Sequence, residues 1–179
     1  NDTPVTSHEI YTKLLNPSGQ IYEEIKHVLR KESFSYLPAF KAALMSVGLQ
    51  YEVYGKIALS AKKSRDFDFI VIDAECTFDE DKAKLLDAAD KVIIVTEQSV
   101  NAVHAVNALI SNINGTNSDK YIFVCNKFDK GVYNALISPN VTLKFTVNEY
   151  VDKFAANGMP GCEALSEKEG IKKTAFLLL

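Results

Sequence analysis

The stretch DFDFIVIDAE, residues 66–75, decides how the chain is read. Phe67, Phe69, Ile70, Val71 and Ile72 are aromatic or β-branched, the composition of a buried strand. The run then stops abruptly on Asp73. An aspartate there can satisfy backbone donors of the next loop, which is the simpler role for one residue taken alone. It can also hold a metal ion beside a phosphate, and the rest of the chain has to decide between the two.

Moving outward, two further runs have the same character: KVIIVT at 91–96 and YIFVC at 121–125. Strands apolar on both faces belong in a parallel sheet covered by helices. Helical patterns separate them, over 79–89 and over 99–113. In the second, Val103, Val106, Ile110 and Ile113 recur at helical spacing and Ser99 is placed as N-cap. Strand alternating with helix is the signature of βαβ units, so the expected fold is α/β, a three-layer sandwich around a mostly parallel sheet.

The flanks are read in the same way. Ile21, Ile25, Val28 and Leu29 share a helical face, and 33–38 is a short strand stopped by Pro38. Residues 39–63 form helix in two pieces with a break near Gly48. In the second piece Tyr54, Ile57, Ala58 and Ala61 make the apolar stripe. A further strand is expected over 141–147, then a helix capped by Asn148. SEKE at 166–169 is a capping-box pattern opening a last helix with Ile171, Ala175 and Leu178 inward. All 179 residues are taken as one incomplete domain.

Composition excludes several classes. Hydrophobic residues make up 47% of the chain, enough for a substantial core, and a net charge of −3 gives no basic surface for nucleic acid. Three scattered cysteines, Cys76, Cys125 and Cys162, suit a reducing, cytoplasmic setting. Cys125, inside a strand pattern, is read as core filler. Three histidines, none near a cysteine pair, do not make a zinc site, and His104 is read as a partly buried or interface residue. No apolar run approaches the roughly 20 residues that span a bilayer. The chain opens on Asn1 rather than methionine, which suggests a longer or processed parent protein.

In open α/β sheets, ligands bind beyond the carboxyl ends of the strands. Asp73 is there the candidate for Mg²⁺, with Glu75 and Asp79 as further acidic groups in its loop. Thr96 ends the second run. NKFD at 126–129 follows the third. Asn126 can hydrogen-bond a purine edge, the methylenes of Lys127 can lie over the base, and Asp129 can accept from ring nitrogens. The plainer alternative is a polar turn closed by Lys130 and Gly131.

FDFIVID at 67–73, followed by LLDAADKVIIVT at 85–96, resembles the Walker B strand and the next helix–strand element of MinD/ParA-type deviant-Walker P-loop ATPases, CpaE-like members in particular. SYLP at 35–38 resembles an earlier strand of that fold, and Asn126-Lys127 its adenine-contacting position. The resemblance spans about residues 10 to 130. It implies a P-loop NTPase-type sheet with ATP and Mg²⁺ as cofactors in the intact protein. Asp73 would hold Mg²⁺ through water and Asn126 with Lys127 would contact adenine, while Asp129 and Thr96 are nucleotide candidates from their position after the strands. It also implies a homodimer or self-association through the sheet or switch face, a protein partner, and a role in positioning, partitioning, or secretion and pilus assembly.

The chain departs from that family at one decisive point. It contains neither G-x-x-x-x-G-K-[ST] nor the deviant K-G-G-x-x-K-[ST] run, and its eight glycines are scattered. A triphosphate needs converging backbone N–H groups and a lysine. The P-loop strand is therefore expected to be missing from the sheet, supplied by a parent protein or a second chain, or bypassed by different closure. These residues alone are expected to be inactive, with no nucleotide bound. Two rivals stand beside this reading: a degenerate interaction or scaffold domain of the same fold, and a receiver-like doubly wound domain.

Overall fold

The computed structural model describes residues 8–38, 48–74, 78–154 and 162–179. The chain divides into two compact units, Asn1–Ala88 and Ala89–Leu179.

The first unit is built mainly from helices: α1 (His8–Leu15), α2 (Ile21–Ile25) running into a 3-10 turn (Lys26–Val28), α3 (Glu52–Ser64) and α4 (Glu80–Ala88). Arg30–Lys31 (β1) and Ser35–Tyr36 (β2) form a small antiparallel ladder. Ile10 and Leu14, and Ile21 and Ile25, are spaced four apart on their helices and so point the same way. They close a core with Leu49 and Val53, against which Val28, Leu37, Tyr54 and Ile57 pack. The chain enters α3 through Gly48, whose φ of +75° is open to glycine at little cost. The earlier helical piece expected before Gly48 lies outside the described residues. Ser60, buried on α3, accepts a hydrogen bond from the Tyr22 N–H at 3.1 Å. The Tyr22 hydroxyl donates to Asp66 Oδ2 at 2.7 Å, tying the end of α3 to α2.

Directly after Asp66 the strand expected over 67–72 does not form; residues 66–74 are irregular. Phe67 turns inward, its ring edge-on to Tyr22 at 5.8 Å between centroids. Phe69, Ile70 and Val71 remain 56%, 40% and 85% exposed. The physical reason is that β-propensity measures packing against neighbouring strands more than an intrinsic preference of the backbone. No ladder partner pairs with this segment among the described residues, and without one apolar composition does not make a strand.

The second unit holds the parallel sheet: β3 (Val92–Thr96), β4 (Tyr121–Phe128) and β5 (Glu149–Asp152), in the order β3-β4-β5. The β3–β4 register runs from Val92 opposite Tyr121 to Thr96 opposite Cys125. Helix α5 (Val100–Ile110) forms the crossover and packs beside β3, burying Val103, Val106 and Ile110. Its N-cap is Ser99, whose hydroxyl accepts from the Ala102 N–H at 3.2 Å. Two C-terminal helices follow, α6 (Cys162–Ser166) and α7 (Glu169–Phe176). Ile171 and Leu178, on α7 and just beyond it, pack with Phe154 against Ile122, Val124 and Val151. The result is an α/β fold with a parallel sheet flanked by helices. The edge strand β3 is covered on one face only, since Val92, Ile94 and Thr96 are buried while Ile93 and Val95 are 39% and 58% exposed.

Several local elements differ from those expected. Residues 141–147 are irregular, and the strand lies just beyond them, where a helix capped by Asn148 was expected. Asn148 instead docks on β4: its N–H donates to the Phe123 carbonyl at 2.8 Å and its Oδ1 accepts the Phe123 N–H at 2.7 Å. A side chain able to imitate a backbone pair starts the ladder rather than a helix. The SEKE capping box is absent as well; Ser166 ends α6, and α7 starts after Lys168 without a side-chain cap. On that helix Ala175 is exposed, and Thr174 takes the half-buried place. His104 is exposed on α5 rather than partly buried. Cys125 is fully buried, as a core residue should be.

Candidate nucleotide-base site

The carboxyl ends of β3 and β4 are brought side by side by the register of Thr96 with Cys125. Four of the sequence-selected residues, Thr96, Asn126, Lys127 and Asp129, therefore fall at one end of the sheet. Thr96 itself is 4% exposed and its hydroxyl donates to the Glu97 carbonyl at 3.3 Å. It is part of the covered face and not of an open surface.

β4 is irregular where the motif lies. Cys125 pairs with Tyr150 and Phe128 with Asp152, so Asn126 and Lys127 together oppose the single residue Val151. This is a bulge, a device that re-aims side chains at strand ends. Lys127 takes the strain, with φ at +53° in the left-handed region that non-glycine residues rarely occupy. The Asn126 Oδ1 accepts the Lys127 N–H at 2.8 Å and supports that conformation. The Lys127 ammonium reaches back to Glu97 Oε1 at 2.7 Å, with both side chains largely in solvent.

Beyond the bulge, residues 128–139 line an open groove of about 440 Å³, with Phe128, Asp129, Lys130, Val132, Tyr133 and Ile137 among its walls. Its size lies in the range of small-molecule sites, which combine apolar walls with a few fixed polar groups. Of the candidates, only Asp129 lines it. Asp129 Oδ1 accepts the Gly131 N–H at 2.9 Å, so the expected polar turn does form. Its second carboxylate oxygen has no hydrogen bond with any described residue and can accept from a ligand N–H.

The residue that the sequence reading passed over is Gln98. It is 6% exposed, between β3 and the N-cap of α5. Its Oε1 accepts the Asp129 N–H at 2.7 Å. Its Nε2 donates toward the carbonyls of Asp129 at 3.1 Å, Val132 at 3.1 Å and Tyr133 at 3.2 Å. A buried glutamine just past a strand was the available signal, since such an amide requires partners. Its partners lie 31 to 35 residues away, beyond the reach of local pattern.

Asp73 belongs to the first unit, where it is exposed and its carbonyl accepts from the Tyr51 hydroxyl at 3.3 Å. Glu75 lies outside the described residues. Asp79 has a structural task. Its Oδ1 accepts the Lys82 N–H at 2.9 Å and its Oδ2 the Lys82 ammonium at 3.1 Å. The backbone bond first, then the ammonium, holds its carboxyl below the ordinary range. Among the described residues no group of three or more His, Cys, Asp or Glu could hold a metal ion. The groove combines apolar walls with the Asp129 carboxylate. No helix among the described residues is long and apolar enough to cross a membrane. No protein-family model matches the chain, and no curated protein matches it either.

Proposed function

We propose that the chain is part of a MinD/ParA-like, P-loop NTPase-type switch, and that its second unit carries the end of the nucleotide site that recognises the purine base. In the intact, cytoplasmic protein ATP and Mg²⁺ would be the cofactors, with the phosphates held by a loop that residues 1–179 lack. ATP would then drive self-association and recruitment of a protein partner. The residues themselves would not hydrolyse ATP. The observation that carries this reading is the groove after β4, with an anchored Asp129 presenting one carboxylate oxygen beside Phe128 and Tyr133.

Titration of the chain with adenosine, followed by amide NMR shifts, tests it. Adenosine should move signals in 128–138. Asp129→Asn, which turns an acceptor toward a mixed amide, should weaken the effect about tenfold, the scale of one charge-assisted hydrogen bond. ATP with Mg²⁺ should bind no tighter than adenosine. Tight, Mg²⁺-dependent ATP binding would contradict the reading.

A second reading, a scaffold domain of the same fold without nucleotide, is favoured by the exposed apolar side chains of Phe69, Ile70 and Val71. Self-association that depends on those residues, in a chain on which adenosine moves no signal, would select it.

A further inference from the structure

We propose that Gln98 is the positioning residue of the groove and governs its affinity for a base without touching it. The inference rests on the reading of that groove as a base site. Residues 129–134 belong to no strand and no helix, so no ladder fixes them. Within the segment the Val132 N–H donates to the Asp129 carbonyl at 3.2 Å and the Gly131 N–H to Asp129 Oδ1 at 2.9 Å, and the side chain that ties this turn to the sheet is that of Gln98. Gln98 grips the Asp129 N–H with Oε1 and gathers the Asp129, Val132 and Tyr133 carbonyls around Nε2. Its own carbonyl accepts the Ala135 N–H at 2.8 Å, closing the far end of the segment.

An amide has two N–H donors, so three carbonyls share them. The chain on either side of Gln98 is held by β3 and by the Ser99 cap of α5, which makes the amide a fixed post. Asp129, Val132 and Tyr133 are the residues whose backbones it holds and whose side chains form a wall of the groove.

The chemistry leaves little substitute for this residue. Glutamate has the same length but, when ionised, no donor, and it would set a charge against three carbonyl oxygens. Methionine fills the space with neither donor nor strong acceptor. Protonated glutamate regains one O–H donor and keeps an acceptor for the Asp129 N–H. Burial and the carbonyls favour that neutral form. A Gln98→Glu chain should therefore recover on acidification, whereas Gln98→Met should not.

The test uses chains 1–179 carrying Gln98, Gln98→Glu or Gln98→Met, with adenosine as the probe and amide NMR shifts as the readout, at about pH 8 and about pH 5. Gln98 should bind adenosine at both pH values. Gln98→Glu should bind about tenfold more weakly at the higher pH and regain the affinity at the lower. Gln98→Met should stay weak at both, and signals from β3, β4 and β5 should be unchanged throughout. Wild-type affinity in both variants at the higher pH overturns the role of Gln98 and leaves the base site standing. Absence of any groove shift in the unsubstituted chain overturns the base site itself, and the role of Gln98 with it. Loss of the sheet signals in both variants at both pH values assigns Gln98 to folding and overturns positioning.

Discussion

At the scale of single residues, burial decides what chemistry a side chain can do. Cys125 is wholly enclosed in β4, and desolvation first, then the nearby Glu97 carboxylate, pushes its thiol up from an ordinary value of 9.0 to about 11. Two outcomes are expected. Alkylation of Cys125 at neutral pH, read by peptide mass spectrometry, should be far slower in the folded chain than in urea, because the nucleophile is the thiolate. The linkage sign also follows: a thiol held protonated contributes stability that is fully present below its unfolded pKa and is lost as pH rises through about 11. Urea midpoints should therefore fall on that alkaline limb, and Cys125→Ala should flatten it. A limb of the same slope in Cys125→Ala would assign the loss to other groups. Burial of Cys125 was legible in its apolar setting. The role of Gln98 was not, because nothing adjacent in sequence shows that four backbone groups from a distant loop will converge on it.

At the scale of elements, local signals succeed where both partners lie within a turn or two. Ser99 caps α5, and Val103, Val106 and Ile110 bury one stripe, all through contacts within the helix or on one face of it. Such signals fail where the partner is remote: Asn148 has the residue type of a cap and serves as the first rung of β5. Gly170 shows the same dependence on a remote partner. It lies in α7 against β5, where an added Cβ would collide with the Tyr150 carbonyl oxygen and stand 3.0 Å from Val151 Cα. Backbone cannot swing aside as a flexible side chain does. Gly170→Ala, normally a gain within a helix, should instead destabilise the chain by about 1–3 kcal/mol through overpacking. Thermal or urea unfolding checks this, and a stabilised variant would show that α7 is free to move off β5.

At the scale of the whole molecule, the notable feature is how much strand-forming and sheet surface remains open. Phe69, Ile70 and Val71 in the first unit, and Ile93 and Val95 in the second, are large apolar side chains left in water. Unpaired, β-prone segments invite association with other chains. Val71→Asp, at a site 85% exposed, should change unfolding free energy by no more than about 0.5 kcal/mol. It should also lower self-association in concentration-dependent light scattering. Unchanged association would remove this segment from the contact. The amino-acid sequence by itself determined the α/β class, the crossover helix with its cap, and two of the parallel strands. Each of these is written in residue type or in spacing along a few turns. Only the tertiary structure decided that 67–72 stays unpaired, that β5 begins at Glu149, and that the loop after β4 hangs on Gln98. Strands and buried amides are completed by partners far along the chain, and no local pattern shows whether those partners arrive.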